Sequence, residues 1–260
     1  MKKLFALLMA LMMLLGSAAA LAEEDLLTKI QERGTIVIGT EGNWSPWTYH
    51  DDNDVLTGFD IEVGKLIADY IGVTPDYKEA PWGSLLTGVE TGVFDVICNG
   101  VGYKKERAES VAFSEPYLYE EAALVVRADN EDIHSVADLA GKKTSNSPGS
   151  TYESMAAEAG ATVEYVDTLG ETMAMLEQGR VDATLNALSS VEDYLREHPD
   201  AKIKIVEKMP GAPICIPMEK GDRSQTLLAA VNETLAKARQ DGTLSELSVK
   251  YFGKDLTKAE

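Results

Sequence analysis

The chain has 260 residues, of which 43 are acidic and 24 are basic, so its formal net charge at pH 7 is −19. An acidic balance of this size argues against a nucleic-acid-binding protein, because phosphates are bound by clustered Lys and Arg side chains. It does not by itself indicate a basic ligand, since solvated acidic surfaces are common, and the length is sufficient for two lobes.

The first 22 residues have the pattern of a secretory signal peptide. Lys2 and Lys3 precede an apolar run at 4–16, and an Ala-Leu-Ala cleavage site follows at 20–22. The run is shorter than the roughly 20 residues that span a membrane, which disfavours an uncleaved anchor helix. No cysteine lies near the site to carry a lipid. We therefore expect an exported, soluble protein that is periplasmic or secreted.

An unusually aromatic loop follows the first predicted strand, at 35–39. It contains Trp44 and Trp47, with Pro46 between them. Loops are usually polar, so two indoles in one loop indicate either a wall prepared for a ligand or core residues that flank a turn. Trp44, beside small and polar residues, is predicted to contact a ligand, and Trp47 is predicted to belong to the core.

Strand and helix patterns alternate along the rest of the chain, which predicts α/β lobes built on parallel sheets. In the first part, the apolar spacing predicts helices at 61–71 and 82–92 and strands at 73–78 and 94–98. A second unit predicts strands at 124–127, 142–145, 163–166 and 182–185, and helices at 135–139, 150–159 and 172–178. The chain closes with predicted strands at 203–206 and 213–217 and helices at 227–239 and 244–251.

The two cysteines, Cys98 and Cys215, lie in apolar segments with strand character. A disulfide between them is possible in an oxidising compartment, but two buried thiols are the preferred interpretation. The histidines His50, His134 and His198 are scattered. We therefore predict no metal and no cofactor, and, since no nucleophile–base pair is evident, no catalytic residues.

Further loops at the carboxyl ends of predicted strands carry residues suited to ligand binding, because ligands of open α/β sheets bind there. Trp82 opens a predicted helix. Arg107 follows a glycine-containing loop, where it is either a bidentate partner for a carboxylate or a solvated arginine on a charged turn. Ser150 and Thr151 open another helix, where they either bind an anion or simply cap the helix.

Five segments of the chain occur in a characteristic order: GTEGNWSPW, PWGSLLTGVETGVFDVICNGVGYKKER, VADLAGKKTSNSPGSTYESMA, LEQGRVDATLNA and LAKARQDGTLSELSVKYFG. In this order they resemble the family 3 extracellular solute-binding proteins of polar amino-acid ABC importers, over essentially the whole mature chain. Within the family, CNGVG, STY and GRVDATLN are most similar to cystine-type and related binders. The resemblance implies two α/β lobes joined by two crossing strands, the type II arrangement of periplasmic binding proteins. After a signal peptide at 1–22, lobe 1 would comprise 23–119 and 213–260, and lobe 2 would comprise 120–212.

The resemblance also implies roles for individual side chains. The two aromatic walls would be Trp44 and Trp82, and Asn99 and Gly100 would form the loop that gives backbone contacts. Arg107 would pair with the α-carboxylate, and Ser150 and Thr151 would contact the same carboxylate from the second lobe. Glu41 matches a position that is an acid in some members. Gly102 stands where many members have a Ser or Thr hydroxyl.

One departure from the family bears on the ligand. The acid that usually holds the α-ammonium is replaced by Ala187. An unpaired ammonium in a closed cleft would be costly, so another group must replace the acid. We hypothesise that Asn186 lines the cleft, with Glu41, Glu120 and Glu121 as possible carboxylate substitutes. The departure leaves open a ligand that is not an ordinary α-amino acid.

The resemblance favours a substrate-binding component of an ABC importer. It would capture a polar amino acid, cystine-like or other, or a related small carboxylate by hinge closure and deliver it to the permease. We expect a monomer that binds no nucleic acid. Two alternatives are an enzyme on the same fold, with dehydratase-like use of Glu41 or Glu120, and the ligand-sensing subunit of a receptor.

Overall fold

A computed structural model describes residues 24–259 of the chain; the predicted signal peptide lies outside this range. The strands are β1 (Thr35–Thr40), β2 (Asn43–Trp44), β3 (Thr48–His50), β4 (Leu56–Thr57), β5 (Thr74–Glu79), β6 (Val96–Ile97), β7 (Val111–Phe113), β8 (Leu118–Arg127), β9 (Lys143–Asn146), β10 (Thr162–Tyr165), β11 (Ala183–Ala187), β12 (Ile203–Ile214) and β13 (Pro217–Glu219). The α-helices are α1 (Leu26–Arg33), α2 (Phe59–Ile71), α3 (Trp82–Glu90), α4 (Thr151–Glu158), α5 (Leu169–Glu177), α6 (Leu188–Glu197), α7 (Gln225–Gln240) and α8 (Thr243–Phe252). Within 24–259, every helix is too short or too polar to cross a membrane.

Two five-stranded sheets organise the chain. The first has the order β5-β1-β6-β13-β7 and the second β10-β9-β11-β8-β12. In each sheet three neighbouring strands are parallel, and the remaining two join antiparallel. The α/β fold class is confirmed, and antiparallel strands extend the predicted parallel part of each sheet. In the first sheet β13 runs opposite to the parallel strands, and in the second sheet β8 does. Their outer neighbours, β7 and β12, pair antiparallel with them.

The crossing strands β8 and β12 pair antiparallel along their length, from Leu118 opposite Ile214 to Arg127 opposite Ile203. Near the first sheet, Ile214 also forms a bridge with Gly102. Two sheets connected by two long strands confirm the predicted two-lobe architecture, while the lobe boundaries near 119 and 213 stay a prediction. The predicted strand at 213–217 is wrong, because the end of β12 and the start of β13 divide it.

Two helices have no counterpart among the predicted elements. Helix α1 buries only Leu26 and Ile30, and three of the five buried residues of α6 are polar, so each segment has few apolar residues from which a helix could be predicted. Helix α5 begins three residues before the predicted start at 172. The reason is a capping box between Thr168 and Glu171, which satisfies the first free N–H groups of that helix.

The core beneath the aromatic loop is built from ring stacking. Trp47 is fully buried, as predicted. Its ring lies parallel to Trp44 at a centroid distance of 5.2 Å and edge-on to Phe59 at 6.0 Å. Cys98 and Cys215 are both buried with free thiols, in agreement with the preferred interpretation.

Replacing Trp47 with Ala should lower the free energy of unfolding by about 3–5 kcal/mol, because the removed indole leaves a cavity between packed rings. Chemical denaturation at fixed pH measures the change. The control is Tyr165→Ala, which removes a ring that is 63% exposed and should cost less than about 1 kcal/mol. Equal costs for the two variants would contradict a structural role for Trp47.

Candidate functional site

A cleft of about 740 Å³, partly open to solvent, lies where the two sheets face each other. It is at the carboxyl ends of β1, β9, β10 and β11, as expected for an α/β fold. It is lined by Glu41, Asn43, Trp44, Trp82, Gly100, Gly102, Glu120, Asn146, Ser147, Ser150, Thr151, Tyr152, Asp167, Thr168, Leu169, Thr172, Asn186, Gly211, Ala212 and Ile214. Eight of the ten predicted binding residues are in this lining, and Asn99 and Arg107 are not.

Trp44 connects the core to the far side of the cleft. One face of its ring stacks on Trp47, and its Nε1 donates a hydrogen bond of 3.3 Å to Oδ1 of Asn186. Gly100 lies against the same ring. A Cβ there would come within 2.6 Å of the indole, and its φ of +55° also favours glycine. The absence of a side chain at Gly100 therefore allows this loop to lie directly against the indole.

Arg107 lies directly behind the lining and is buried. Its Nη1 donates to the carbonyl oxygen of Gly102 at 2.7 Å, and its Nη2 donates to that of Gly149 at 2.8 Å. Its Cζ lies 5.2 Å from the ring centroid of Trp82, a cation–π geometry. Burial lowers the pKa of Arg107 to about 10, so the guanidinium stays charged at neutral pH.

The start of α4 forms the opposite wall beside Arg107. Ser150 caps the helix, its Oγ accepting a hydrogen bond of 3.0 Å from the backbone N–H of Glu153. Thr151 Oγ1 accepts a long hydrogen bond of 3.4 Å from Arg107. A Cβ at Gly102 would lie 3.0 Å from both Thr151 Oγ1 and the Ala212 side chain. A side chain at position 102 would therefore be crowded on both sides.

Asn99 is fully buried and supports Glu41. Its Nδ2 donates to Oε2 of Glu41 at 2.6 Å, and its Oδ1 accepts from the backbone N–H of Glu41 at 2.7 Å. Glu41 lines the cleft with its pKa raised to about 7, chiefly because burial disfavours the charged form. In this structure the Asn99 side chain therefore positions an acid and does not face the cleft.

Asp60, which sequence reasoning missed, holds the Gly100 loop. It is fully buried at the start of α2, where it accepts hydrogen bonds from the backbone N–H of Gly100 and from the hydroxyl of Tyr117. Burial raises its pKa to about 7. The available signal was an acidic residue next to Phe59, directly before the predicted helix at 61–71.

The three acids proposed to replace the acid missing at position 187 lie in different places. Glu41 and Glu120 line the cleft. Glu121 does not; its side chain is 47% exposed and lies 4.0 Å from the Lys254 ammonium. The Ala187 side chain is fully buried at the end of β11, so the cleft surface there carries no acid.

Glu120 has an incompletely satisfied carboxylate. Its side chain is buried on β8, and its Oε1 accepts from the backbone N–H groups of Ser189 and Glu121 at 3.3 and 3.2 Å. Its Oε2 has no hydrogen-bond partner among residues 24–259. Burial raises its pKa to about 7.

Several lining residues lie outside the predicted set. Asp167 and Thr168 follow β10 directly, where the Thr168–Glu171 capping box was a usable signal. Asn146 and Tyr152 are the first and last residues of the hydroxyl-rich loop at 146–152, which contains the predicted residues Ser150 and Thr151. The described part of the chain has no group of three or more His, Cys, Asp or Glu side chains arranged for a metal.

Comparison with known proteins gives consistent matches. The family described as bacterial extracellular solute-binding proteins, family 3, matches residues 36–254. The L-cystine-binding protein TcyA of Bacillus subtilis (strain 168) is 39% identical over 235 residues, covering 90% of this chain and 87% of TcyA. An ancestral arginine-binding protein bound to arginine has a TM-score of 0.79 at 35% identity, covering 85% of this chain and 99% of that one.

A second solved structure differs in conformation. The L-cystine solute receptor of Neisseria gonorrhoeae, in an unliganded open conformation, is 38% identical and covers 90% of this chain and 99% of its own, but its TM-score is only 0.60. The chain therefore resembles the arginine-bound structure more closely. The hydrogen bond between Trp44 and Asn186 across the cleft agrees with a closed arrangement of the two sheets.

Replacing Asp60 with Asn should change how stability depends on pH. The pKa of Asp60 is about 7 in the folded protein against an ordinary value of 3.8, so its stabilising contribution is present below about pH 4 and is lost as the pH rises to about 7. The isosteric amide does not titrate. The stability of D60N relative to wild type should therefore rise by up to about 1.4 kcal/mol per pH unit across that interval.

Denaturant titrations from pH 4 to pH 8 measure this difference. Asn can serve both neighbours, because its oxygen can accept from the Gly100 N–H and its amide can donate to the Tyr117 oxygen. The control is D52N, which alters an exposed carboxylate. A D60N stability difference that does not vary with pH would contradict the assignment.

Proposed function

The chain belongs to the bacterial extracellular solute-binding proteins of family 3, and on that premise we propose that it captures a polar amino acid or related small carboxylate and delivers it to the permease of an ABC importer. The observation that carries the proposal is the cleft, which lies between two sheets joined by only two crossing strands. A predicted signal peptide supports an extracytoplasmic location. The proposed form is a monomer without affinity for nucleic acid.

The cleft offers distinct surfaces to the two ends of such a ligand. The Trp44 and Trp82 indoles provide apolar walls for the side chain. A carboxylate at the start of α4 would meet its free amide N–H groups and the Thr151 hydroxyl, with the Arg107 guanidinium 3.4 Å from that hydroxyl. Arg107 thus supplies the positive charge at that end, although its side chain lies just behind the cleft lining.

Closure of the two lobes couples binding to delivery. Hydrogen bonds cross the cleft from Trp44 to Asn186 and from Trp47 to Ser189, each 3.3 Å long. A ligand that contacts both lobes adds to these bonds and shifts the population towards the closed form. A permease that distinguishes closed from open binding protein can then respond to loading.

Enzymatic turnover is the second candidate function, and one observation favours it. Glu41 and Glu120 both line the cleft with pKa values raised to about 7, which suits a general acid or base. The relatives reported above are named as binding proteins and receptors, and this favours a carrier. A sensing role would require a separate signalling partner.

The deciding experiment is mass spectrometry of small molecules released by denaturing freshly purified protein. It is followed by calorimetric titration with L-cystine, L-arginine, L-glutamine and the other standard amino acids. We expect a single class of amino acid to bind and to be recovered unchanged after prolonged incubation. A chemically altered product would support the enzyme, and failure of every amino acid to bind would refute the amino-acid carrier.

Replacing Arg107 with Lys should weaken binding of that amino acid at least about tenfold, because an ammonium cannot reproduce the planar donor fork. The matched control is Lys105→Ala, which removes an exposed cation from the same loop and should leave Kd within about threefold. Unchanged affinity of R107K, with an unchanged melting temperature, would rule out a role for Arg107 in binding.

A further inference from the structure

We infer that Glu120, on crossing strand β8, binds the positively charged amino group of the ligand together with Asn146. This inference rests on the proposed function, since it specifies how an amino acid is held in the cleft. It assigns the amine to the crossing strand β8, because at the end of β11 Ala187 has only a buried methyl group and the Asn186 oxygen already accepts a hydrogen bond from Trp44.

The carboxylate of Glu120 is prepared for a donor. The side chain is only 5% exposed, yet it lines the cleft. The backbone N–H groups of Ser189 and Glu121 hold Oε1, while Oε2 is buried with no partner between residues 24 and 259. An unpaired buried carboxylate oxygen is costly, so a donor arriving from the cleft gains more here than at a solvated acid.

Asn146 provides a second acceptor in the same lining. Its Nδ2 donates a hydrogen bond of 2.7 Å to the carbonyl oxygen of Leu185, and this bond fixes which end of the amide is oxygen. Its Oδ1 is buried and, like Oε2 of Glu120, has no partner within the described chain. An ammonium group, with three N–H donors and a positive charge, matches two such acceptors.

Glu41 is less suited to this role. Its carboxylate already accepts a hydrogen bond of 2.6 Å from Asn99 Nδ2, and neither of its oxygens is buried without a partner in the described chain. Lys254 also acts on Glu120 electrostatically, but its ammonium lies 4.0 Å from the carboxylates of Glu121 and Glu192, which do not line the cleft. Among the buried carboxylates that line the cleft, Glu120 is therefore the one with an oxygen that has no partner within residues 24–259.

Tyr152 lies in the cleft lining within electrostatic range of both charged groups. Its pKa is raised mainly by burial, with Glu120 raising it further and Arg107 lowering it. A zwitterion can place its carboxylate towards Arg107 and its ammonium towards Glu120, and this arrangement fits an amino acid as the ligand class.

The test compares ligands with and without the amine. Calorimetry at pH 7.5 measures Kd for L-cystine against 3,3′-dithiodipropionate, and for L-arginine against 5-guanidinopentanoate. The variants are E120Q and, as a matched control on the next residue of the same strand, E121Q. For an amino acid that wild type binds, we expect at least about 30-fold weaker binding by E120Q and a change within about threefold for E121Q. The amine-free partner should bind wild type and E120Q equally.

Each outcome separates the two proposals. If no amino acid binds wild type, the proposed function fails and this inference fails with it. If an amino acid binds wild type and E120Q equally, the function stands and the inference is overturned. If E120Q does not fold, the measurements on wild type decide. Equal affinity of wild type for the amino acid and for its amine-free partner would also overturn the inference. E120D, which keeps the charge at a shorter reach, should bind with intermediate affinity.

Discussion

The antiparallel pairing of β8 with β12 is the constraint on which the rest of the structure depends. These strands are part of the second sheet, and their far ends reach the first sheet, where Ile214 bridges to Gly102 and accepts a hydrogen bond from the Tyr117 N–H. Two strands can bend or twist more easily than a packed interface. The same pair therefore connects the lobes, permits their relative motion and forms the floor of the cleft between them.

The close approach of β8 and β12 determines which side chains the floor of the cleft presents. A Cβ at Gly211 of β12 would lie 2.4 Å from the Glu120 carbonyl oxygen, so a side chain there would push the strands apart. The ladder between β8 and β12 also shifts register between Pro210 and Pro213. At this irregular place, Glu120 of β8 faces the cleft while its neighbour Glu121 is half-exposed outside it.

Much of the site could be predicted from sequence because the binding loops follow strands that local patterns identify. The aromatic loop after β1 and the hydroxyl-rich loop before α4 are such cases, and so is the distinction between Trp44 and Trp47. Long-range pairing was not accessible in this way. The mixed sheets depend on where β8 and β12 return, and the roles of Asp60 and Asn99 depend on partners 40 and 58 residues away.

The placement of the tryptophans has a spectroscopic consequence. The sequence contains three, Trp44, Trp47 and Trp82; two line the cleft and the third stacks on one of them. Opening the lobes would break the hydrogen bonds that the indole N–H groups of Trp44 and Trp47 donate, and it would admit water to the cleft side of the Trp44 ring. Tryptophan fluorescence therefore arises from indoles in or beside the cleft, and the unlabelled protein carries its own optical reporter of closure.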